Sequence, residues 1–224
     1  MLNKTLFIVA VFLLSIPVSN AEKILKQEAG KKEFYENLHY KRVPSTQSEG
    51  SSSGRVKVVE MFFYACPHCN KLDPTLDKWL KTKSKNIEFK RVPAIIGPTW
   101  SIQARAFYVA QKLGIEDKIR KKLFKSIHDD GKQYYNEYTM MKFFSEQGVD
   151  PDKFLELYES KEVSEKAGMA RELTVKYGIR GVPAIIVNNK YYTATYFTKN
   201  HEELLDVVDF LIEKEEKEQL ALVK

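Results

Sequence analysis

The sequence is poor in cysteine, with only 2 among 224 residues. A small scaffold stapled by several disulfides is therefore excluded, and so is a structural zinc site of four thiolates, which needs twice the available thiols. The composition, 43% hydrophobic and 29% charged, also excludes a collagen-like chain and a disordered tail. What remains is a globular chain whose two thiols, Cys66 and Cys69, stand three positions apart.

The apolar segment near the N-terminus is too short for a membrane span. It follows Lys4 and covers 13 positions, 6–18, whereas a spanning helix needs about 20 apolar residues. Small residues then lead to Ala21, where a signal peptidase would cleave. The pattern predicts a cleaved secretory signal over 1–21, with an uncleaved anchor as the alternative. For a bacterial host this signal predicts a periplasmic protein, in a compartment where a disulfide can persist.

The next segments build the first part of the predicted fold. Residues 22–54 are charged and then serine-rich, and we interpret them as an N-terminal extension and flexible linker without an assigned function. The β-branched and aromatic run 56–63 predicts a central strand buried on both faces. An amphipathic helix containing Pro74 follows, and a strand over 87–92 then closes a βαβ unit within 55–97.

Residues 98–177 change to helical patterns and predict an insertion of about five helices. Gly114 and Gly148 are expected to end helices, and Asp150-Pro151 to begin one. The helix that contains Ile119 has one apolar face. We expect its lysines and its arginine, Arg120, on the opposite, solvated face.

Strand patterns return in 178–215 and predict a hairpin followed by a final helix. The strands cover 184–187 and 191–195, with a turn at Asn188-Asn189. The helix ends in the charged run EKEEKE, which we expect to be solvated, and 216–224 is interpreted as a charged tail. The predicted fold is therefore α/β, with one mixed sheet whose halves are separated by a helical insertion.

The two cysteines lie where the central strand meets the next helix, in Cys66-Pro67-His68-Cys69. Unpaired N–H groups and the positive dipole end of a helix stabilise a thiolate there, so we expect Cys66 to be an exposed nucleophile of low pKa. Cys69, one turn further, is expected to resolve the mixed disulfide. Pro67 suits the first helical turn, and His68 adds an imidazolium or a hydrogen-bond donor beside the thiolate.

Three other interpretations of the cysteine pair are weaker. A structural disulfide closing so short a loop would contribute only about 2 kcal/mol. A zinc site would need two histidines, but His39, His128 and His201 are scattered along the chain. Covalent haem attachment requires a histidine where Asn70 stands. A redox role is therefore favoured.

These residues resemble the DsbA family of bacterial periplasmic thiol:disulfide oxidants. The strand 58–63 followed by Cys-Pro-His-Cys resembles the family's active-site strand and helix, and Gly181-Val182-Pro183-Ala184 is similar to its cis-proline loop. The resemblance covers about 55–210. It implies a thioredoxin fold with a mixed central sheet and an inserted all-helical domain. The chain departs from the family at Tyr64-Ala65, where larger apolar residues are common.

The resemblance also implies roles for individual residues. Cys66 would be the nucleophile, Cys69 its resolving partner and His68 the residue that stabilises the reduced thiolate. Pro183 would be the cis-proline and Val182 the residue whose backbone pairs with the substrate chain. Glu60 matches an acidic residue buried under the family's active site, and our hypothesis for it is a proton-handling role.

The predicted function is oxidation of newly exported proteins, to which the chain would donate its Cys66–Cys69 disulfide. The resemblance implies reoxidation by a DsbB-type membrane partner, and we expect a monomer that needs no cofactor, metal or nucleic acid. A disulfide isomerase or reductase of the same fold is one alternative. A peptide-binding or metal-binding module whose cysteines do no chemistry is the other.

Overall fold

The computed structural model describes residues 32–44, 55–83 and 87–222 of the chain. The predicted signal 1–21 and the serine-rich tract 45–54 lie outside the described residues. From Phe34 onward the described residues belong to one structural unit.

Five strands form a mixed sheet in the described part of the chain. They are β1 (Lys41–Arg42), β2 (Val56–Phe62), β3 (Ile87–Pro93), β4 (Ala184–Val187) and β5 (Tyr191–Ala194). Their order is β1-β5-β4-β2-β3. Strand β2 is parallel to β3 and antiparallel to β4, so it is an inner strand, and the site is built at its end. Six of its seven residues are buried, which confirms the prediction of a strand covered on both faces.

Helix α1 (Pro67–Lys83) connects the two parallel strands and completes the predicted βαβ unit. Pro67 is its first residue, and Pro74 lies inside it. Leu72 and Leu76 are fully buried in a cluster of apolar side chains shared with the sheet and the last helix. This packing holds the first turn of α1 at the carboxyl end of β2.

Five helices separate β3 from β4, as predicted. They are α2 (Trp100–Lys112), α3 (Glu116–His128), α4 (Glu137–Glu146), α5 (Pro151–Glu159) and α6 (Lys161–Lys176), and we call them the helical block. Gly114 and Gly148 follow α2 and α4 at φ of 69° and 90°, a region that favours glycine. The Asp150 side chain accepts a hydrogen bond from the Lys153 N–H at 2.9 Å and caps α5.

The hairpin and the last helix complete the second half of the sheet. Asn188 and Asn189 form the turn with φ of 51° and 57°, in agreement with the prediction. Helix α7 (His201–Leu222) follows a short 3₁₀ turn, Thr195–Phe197. None of the helices in the described ranges is long and apolar enough to cross a membrane.

The charged end of α7 differs from the prediction that it would be solvated. Glu215 is fully buried, four residues after the buried Leu211 and therefore on the same helix face. It accepts a hydrogen bond from the Asn188 side chain, and Lys190 Nζ lies 2.9 Å from its Oε2. The hairpin turn thus supplies partners for the buried Glu215 that the local sequence of the helix does not show. The predicted tail is helical as far as residue 222.

Candidate active site

Cys66 occupies the N-cap position of α1. The helix begins at the next residue, and the Asn70 N–H donates to the Cys66 carbonyl at 3.1 Å, the first bond of the helical series. Pro67 at the first helical position has no N–H to leave unpaired. The side chain of an N-cap residue faces the free N–H groups of the first turn. Local chain geometry therefore directs the Cys66 sulfur toward hydrogen-bond donors.

The environment of Cys66 lowers the pKa of its thiol from 9.0 to about 6. The largest cause is a hydrogen bond from the Cys69 side chain to the Cys66 sulfur. Partial burial acts in the opposite direction, whereas the backbone N–H groups of Cys69 and His68 and the charge of His68 lower the pKa further. Cys66 is consequently a thiolate at neutral pH, and it is accessible because it is only partly buried.

Cys69 lies in a very different environment, although it is in the same helical turn. It is fully buried against the apolar cluster that includes Phe62 and the helical block. Burial is the main cause of its raised pKa, followed by the hydrogen bond to Cys66 and the charge of Cys66. The negative charge of Glu60 raises it further. The pair is therefore one accessible thiolate and one protected thiol.

The loop before β4 lies directly against the Cys66 sulfur. The Cys66 Sγ lies 3.2 Å from the Val182 carbonyl oxygen, to which the thiol donates when it is protonated. The Val182–Pro183 peptide bond is cis, as the resemblance implied. A Cβ on Gly181 would stand 3.6 Å from the ring of Tyr196, which is 55% exposed. The Val182 carbonyl thus lies beside the Cys66 sulfur, and an exposed aromatic ring lies beside the same loop at Gly181.

A groove of about 280 Å³ continues from His68 along the segment after β5. Its other lining residues that carry a ring or a charge are Tyr196, Lys199 and His201. Burial is the main cause of a lowered His201 pKa; the charge of Glu202 opposes it, and the charges of His68 and Lys71 lower the pKa further. Sequence reasoning missed Tyr196 and His201 as members of the site; their only signal was their place between the hairpin and the last helix.

Glu60, on β2 beneath the cysteines, is fully buried and paired with two arginines. Arg91 Nε donates to its Oε2 at 3.1 Å, and Arg120 Nη2 donates to the same oxygen at 3.2 Å. The pKa of Glu60 is raised above its ordinary value, because burial outweighs the lowering by Arg120 and Arg91, and the charge of Asp73 raises it further. The predicted burial of Glu60 is confirmed.

The expected solvated position of Arg120 is wrong. Its residue is 2% exposed, and its guanidinium stands over the rings of Phe62 and Phe124, at 4.3 and 5.1 Å from their centroids. Burial lowers the pKa of Arg120, but the charges of Glu60 and Asp73 raise it by more, so the guanidinium stays protonated. The acidic partners come from β2 and α1, and the periodicity of α3 alone does not show them.

Two further residues of the helical block hold the turn before Cys66. Gln103 on α2 is buried, and its Oε1 accepts from the Ala65 N–H at 3.1 Å. His128 Nε2 lies 2.8 Å from the Tyr64 carbonyl oxygen, within donating distance. Tyr64, where the chain departs from the family pattern, is itself buried, with edge-on ring contacts at 5.0 Å to Phe62 and 5.2 Å to Phe124. Sequence analysis considered His128 only as a zinc ligand and missed Gln103.

Metal ligation finds no support in the part of the chain that the structure describes. No group of three or more histidine, cysteine, aspartate or glutamate side chains is arranged there to hold an ion. The ring of His39 packs edge-on against Phe34 at 5.3 Å, and His128 is engaged by Tyr64.

Residues 57–206 match the model of the DSBA-like thioredoxin domain. The chain is 36% identical over 166 residues to the thiol:disulfide interchange protein DsbA of Azotobacter vinelandii, covering 74% of this chain and 78% of the relative. It is 34% identical over 165 residues to the protein of the same name from Pseudomonas aeruginosa, with the same two coverages.

Solved structures agree with the sequence relatives. The crystal structure of Pseudomonas aeruginosa DsbA superposes with a TM-score of 0.76 at 31% identity, covering 85% of this chain and 97% of that one. DsbA from Xylella fastidiosa gives 0.71 at 30% identity, covering 79% and 95%. The predicted thioredoxin fold with a helical insertion is confirmed. With its Cys-Pro-His-Cys turn and cis-proline loop, the chain belongs to the DsbA family of thiol:disulfide oxidoreductases.

Proposed function

We propose that Cys66 and Cys69 are the redox pair and that their disulfide is donated to reduced proteins after export. The observation that carries this proposal is the asymmetry of the pair. A partly exposed thiol with a pKa of about 6 stands at a helix start, and a buried thiol of raised pKa stands one turn further. Such an arrangement directs an incoming thiolate to one sulfur only.

The exchange proceeds through two displacements. A substrate thiolate attacks Cys66 Sγ, the Cys66–Cys69 bond breaks, and Cys69 leaves as a thiolate that takes up a proton. The second substrate thiolate then attacks the substrate sulfur of the mixed disulfide, and Cys66 leaves as a thiolate. Two electrons pass from the substrate, which becomes a disulfide, to the enzyme, which becomes a dithiol.

The low pKa of Cys66 favours the oxidising direction. A thiolate of low pKa is a good leaving group in the second displacement. Each pKa unit below ambient pH stabilises the reduced form by about 1.36 kcal/mol, which for a two-electron couple is about 30 mV toward a stronger oxidant. Stabilising the thiolate therefore makes the disulfide easier to give away.

The surrounding residues have separate roles in this proposal. The Val182 backbone and Pro183 receive the extended substrate chain, which the 3.2 Å approach of the Val182 carbonyl to the sulfur supports. Pro67 starts the helix at the cysteine, and His68 adds positive charge beside the thiolate. Glu60 exchanges the proton of Cys69, since its charge acts on that buried thiol.

The proposed compartment is the periplasm, reached by a signal over 1–21 that is removed. Several relatives are named thiol:disulfide interchange protein DsbA, and likeness to them supports exported reduced proteins as substrates and a DsbB-type membrane protein as reoxidase. N-terminal sequencing of the exported chain should give Glu22 first. Membranes of the source organism should reoxidise the reduced protein catalytically, and heated membranes should not.

The redox roles are tested with a reduced, unfolded test protein and single serine variants. Cys66→Ser should abolish oxidation of that protein, because no disulfide can form. The matched Cys69→Ser variant should also fail to oxidise it catalytically, but should form a mixed disulfide when given an oxidised small thiol. Full oxidising activity in Cys66→Ser would contradict the proposal.

A further inference from the structure

Arg120 connects the helical block to the carboxylate beneath the cysteines. Its Nη2 donates to both oxygens of Glu60, at 3.3 and 3.2 Å, and its Nε donates to Asp73 Oδ1. The three side chains come from α3, β2 and α1, so the contact joins elements that are distant in sequence. All three are buried.

The guanidinium has little freedom to move away from Glu60. It is covered by the rings of Phe62 and Phe124, with its centre 4.3 and 5.1 Å from their centroids. Glu116, on the same helix, has Oε1 3.9 Å from Nη1. A planar cation stacked on aromatic faces and forked onto carboxylates has a defined orientation. Arg120 is therefore a fixed charge at the floor of the site.

Other charged and titratable groups also surround Glu60. They come from β3, α1, α3 and the segment after β2: Arg91 on β3, Cys69, Asp73 and Asp77 on α1, Glu116 and Arg120 on α3, and Tyr64 after β2. Burial and the charge of Asp73 oppose ionisation of Glu60, and the two arginines favour it. Arg91 also bonds to the partly exposed Asp77 at 2.6 Å, whereas Glu60 and Asp73, to which Arg120 donates, are both buried.

We propose that Arg120 is a positioning residue that keeps Glu60 ionised and ready to accept the proton of Cys69. The inference rests on the role proposed above for Glu60. When the reduced enzyme is reoxidised, the Cys66 thiolate first attacks the disulfide of the oxidant; that S–S bond breaks, one oxidant sulfur leaves as a thiolate, and the other is joined to Cys66. The Cys69 S–H proton then passes to a Glu60 oxygen, and the Cys69 thiolate attacks Cys66 Sγ. The Cys66–oxidant bond breaks, the Cys66–Cys69 bond forms, and the oxidant sulfur leaves as a thiolate.

The sign of the expected effect follows from the charges. Without Arg120 the pKa of Glu60 rises, because burial already raises it and one of its two compensating cations is lost. More Glu60 is then protonated at pH 7 and unable to accept a proton. Loss of Asp73 has the opposite sign, because its negative charge raises the pKa of Glu60.

The test uses glutathione disulfide as the oxidant of the reduced full-length protein. Acid quenching and mass spectrometry follow the decay of the Cys66–glutathione mixed disulfide between pH 5 and 9. For Arg120→Met we expect the midpoint of the pH profile about one unit higher, so that decay is about tenfold slower at pH values well below the wild-type midpoint. Asp73→Asn should move that midpoint lower, and Arg120→Lys should restore it in part.

Arg105→Met is the matched control. Arg105 is on α2 of the same helical block, stacks over Tyr158 at 4.8 Å and bonds to Ser164 at 3.1 Å. It lies among the helices rather than at the thiols, so its loss should leave the pH profile of mixed-disulfide decay unchanged. Urea unfolding of each variant separates loss of stability from a change in this profile.

The outcomes distinguish the role of Arg120 in positioning Glu60 from the role of Glu60 in accepting the proton. An unmoved midpoint in folded Arg120→Met, with a changed profile in Glu60→Gln, would overturn the role of Arg120 and leave that of Glu60. An unchanged profile in Glu60→Gln would overturn the role of Glu60 itself, and Arg120 would lose its role with it. If Arg120→Met fails to fold, Arg120→Lys decides: a midpoint raised by less than about one unit supports the inference, and an unmoved one overturns it.

Discussion

The rim of the site, around Cys66, and its floor, around Cys69, lie within one helical turn, yet they shift the pKa of a thiol in opposite directions. At the rim, hydrogen-bond donors and the Val182 carbonyl surround a partly exposed thiol whose pKa falls to about 6. At the floor, burial and the nearby charge of Glu60 raise the pKa of Cys69.

The difference shows that the properties of the two thiols have different structural origins, local chain geometry for one and long-range packing for the other. The low pKa of Cys66 at the rim arises from local geometry, because a cysteine at the start of any helix faces free N–H groups. Floor properties arise from long-range packing, because Glu60 and Arg120 meet only when the helical block covers the sheet. Changes at the rim should therefore alter reactivity, and changes at the floor should alter stability as well.

The largest effect is expected at the floor, from Glu60→Ala. This variant leaves Arg120 buried with one of its carboxylates removed, and loss of one partner from a buried ionic network costs about 3–5 kcal/mol. Urea unfolding should show that loss in the free energy of unfolding. The control Glu88→Ala, in the surface pair with Lys90 on β3, should cost about 1 kcal/mol or less. Equal losses of unfolding free energy in the two variants would contradict this prediction, because the buried network would then contribute no more than a surface ion pair.

The next effect compares the two thiols directly. At pH 7 the single thiol of Cys69→Ser, which is Cys66, should react with iodoacetamide at least about 100-fold faster than that of Cys66→Ser. The reason is that one thiol is ionised and accessible, whereas the other is protonated and buried. In urea the two variants should react at similar rates. A similar rate in the folded variants would show that the environments do not differ.

A third effect concerns pH and the stability of the reduced protein. The pKa of Cys66 is lower in the folded state, so the thiolate contributes stability that is present above the unfolded pKa and is lost as pH falls through about 6. Between pH 8 and pH 5 the reduced form should lose about 2 kcal/mol relative to the oxidised form, allowing for solvent screening of a partly exposed thiol. Urea unfolding of both forms measures this, and reduced Cys66→Ser should not show the pH-dependent loss.

The smallest effect is expected at the rim from His68→Ala. The charge of His68 is the least of the causes that lower the Cys66 pKa, so its loss should raise that pKa by less than about one unit and make the protein slightly less oxidising. Thiolate absorbance against pH measures the change. An identical titration in the variant would refute the role of His68 in stabilising the thiolate.

The contrast between rim and floor also explains which features could be predicted from sequence. The buried strand, the helix start at Cys66 and the Asn188-Asn189 turn depend on neighbouring residues, so local patterns were sufficient. The cis-proline loop was predicted from the resemblance rather than from periodicity.

The features that were missed depend on partners far away in the chain. Gln103 lies 38 residues from Ala65, His128 lies 64 residues from Tyr64, and Arg120 lies 60 residues from Glu60. An amphipathic pattern identifies which face of α3 is apolar, but it does not show that a carboxylate approaches the other face. Arg120 was therefore placed in solvent, although tertiary contacts bury it.

The measurement that tests the central claim most directly is the equilibrium of the Cys66–Cys69 pair with a glutathione buffer. The low pKa of Cys66 and the protected Cys69 predict a reduction potential well above the value of about −270 mV typical of thioredoxin, so that the disulfide is readily donated. A potential at or below about −270 mV would contradict the account, because the protein would then act as a reductant of other disulfides.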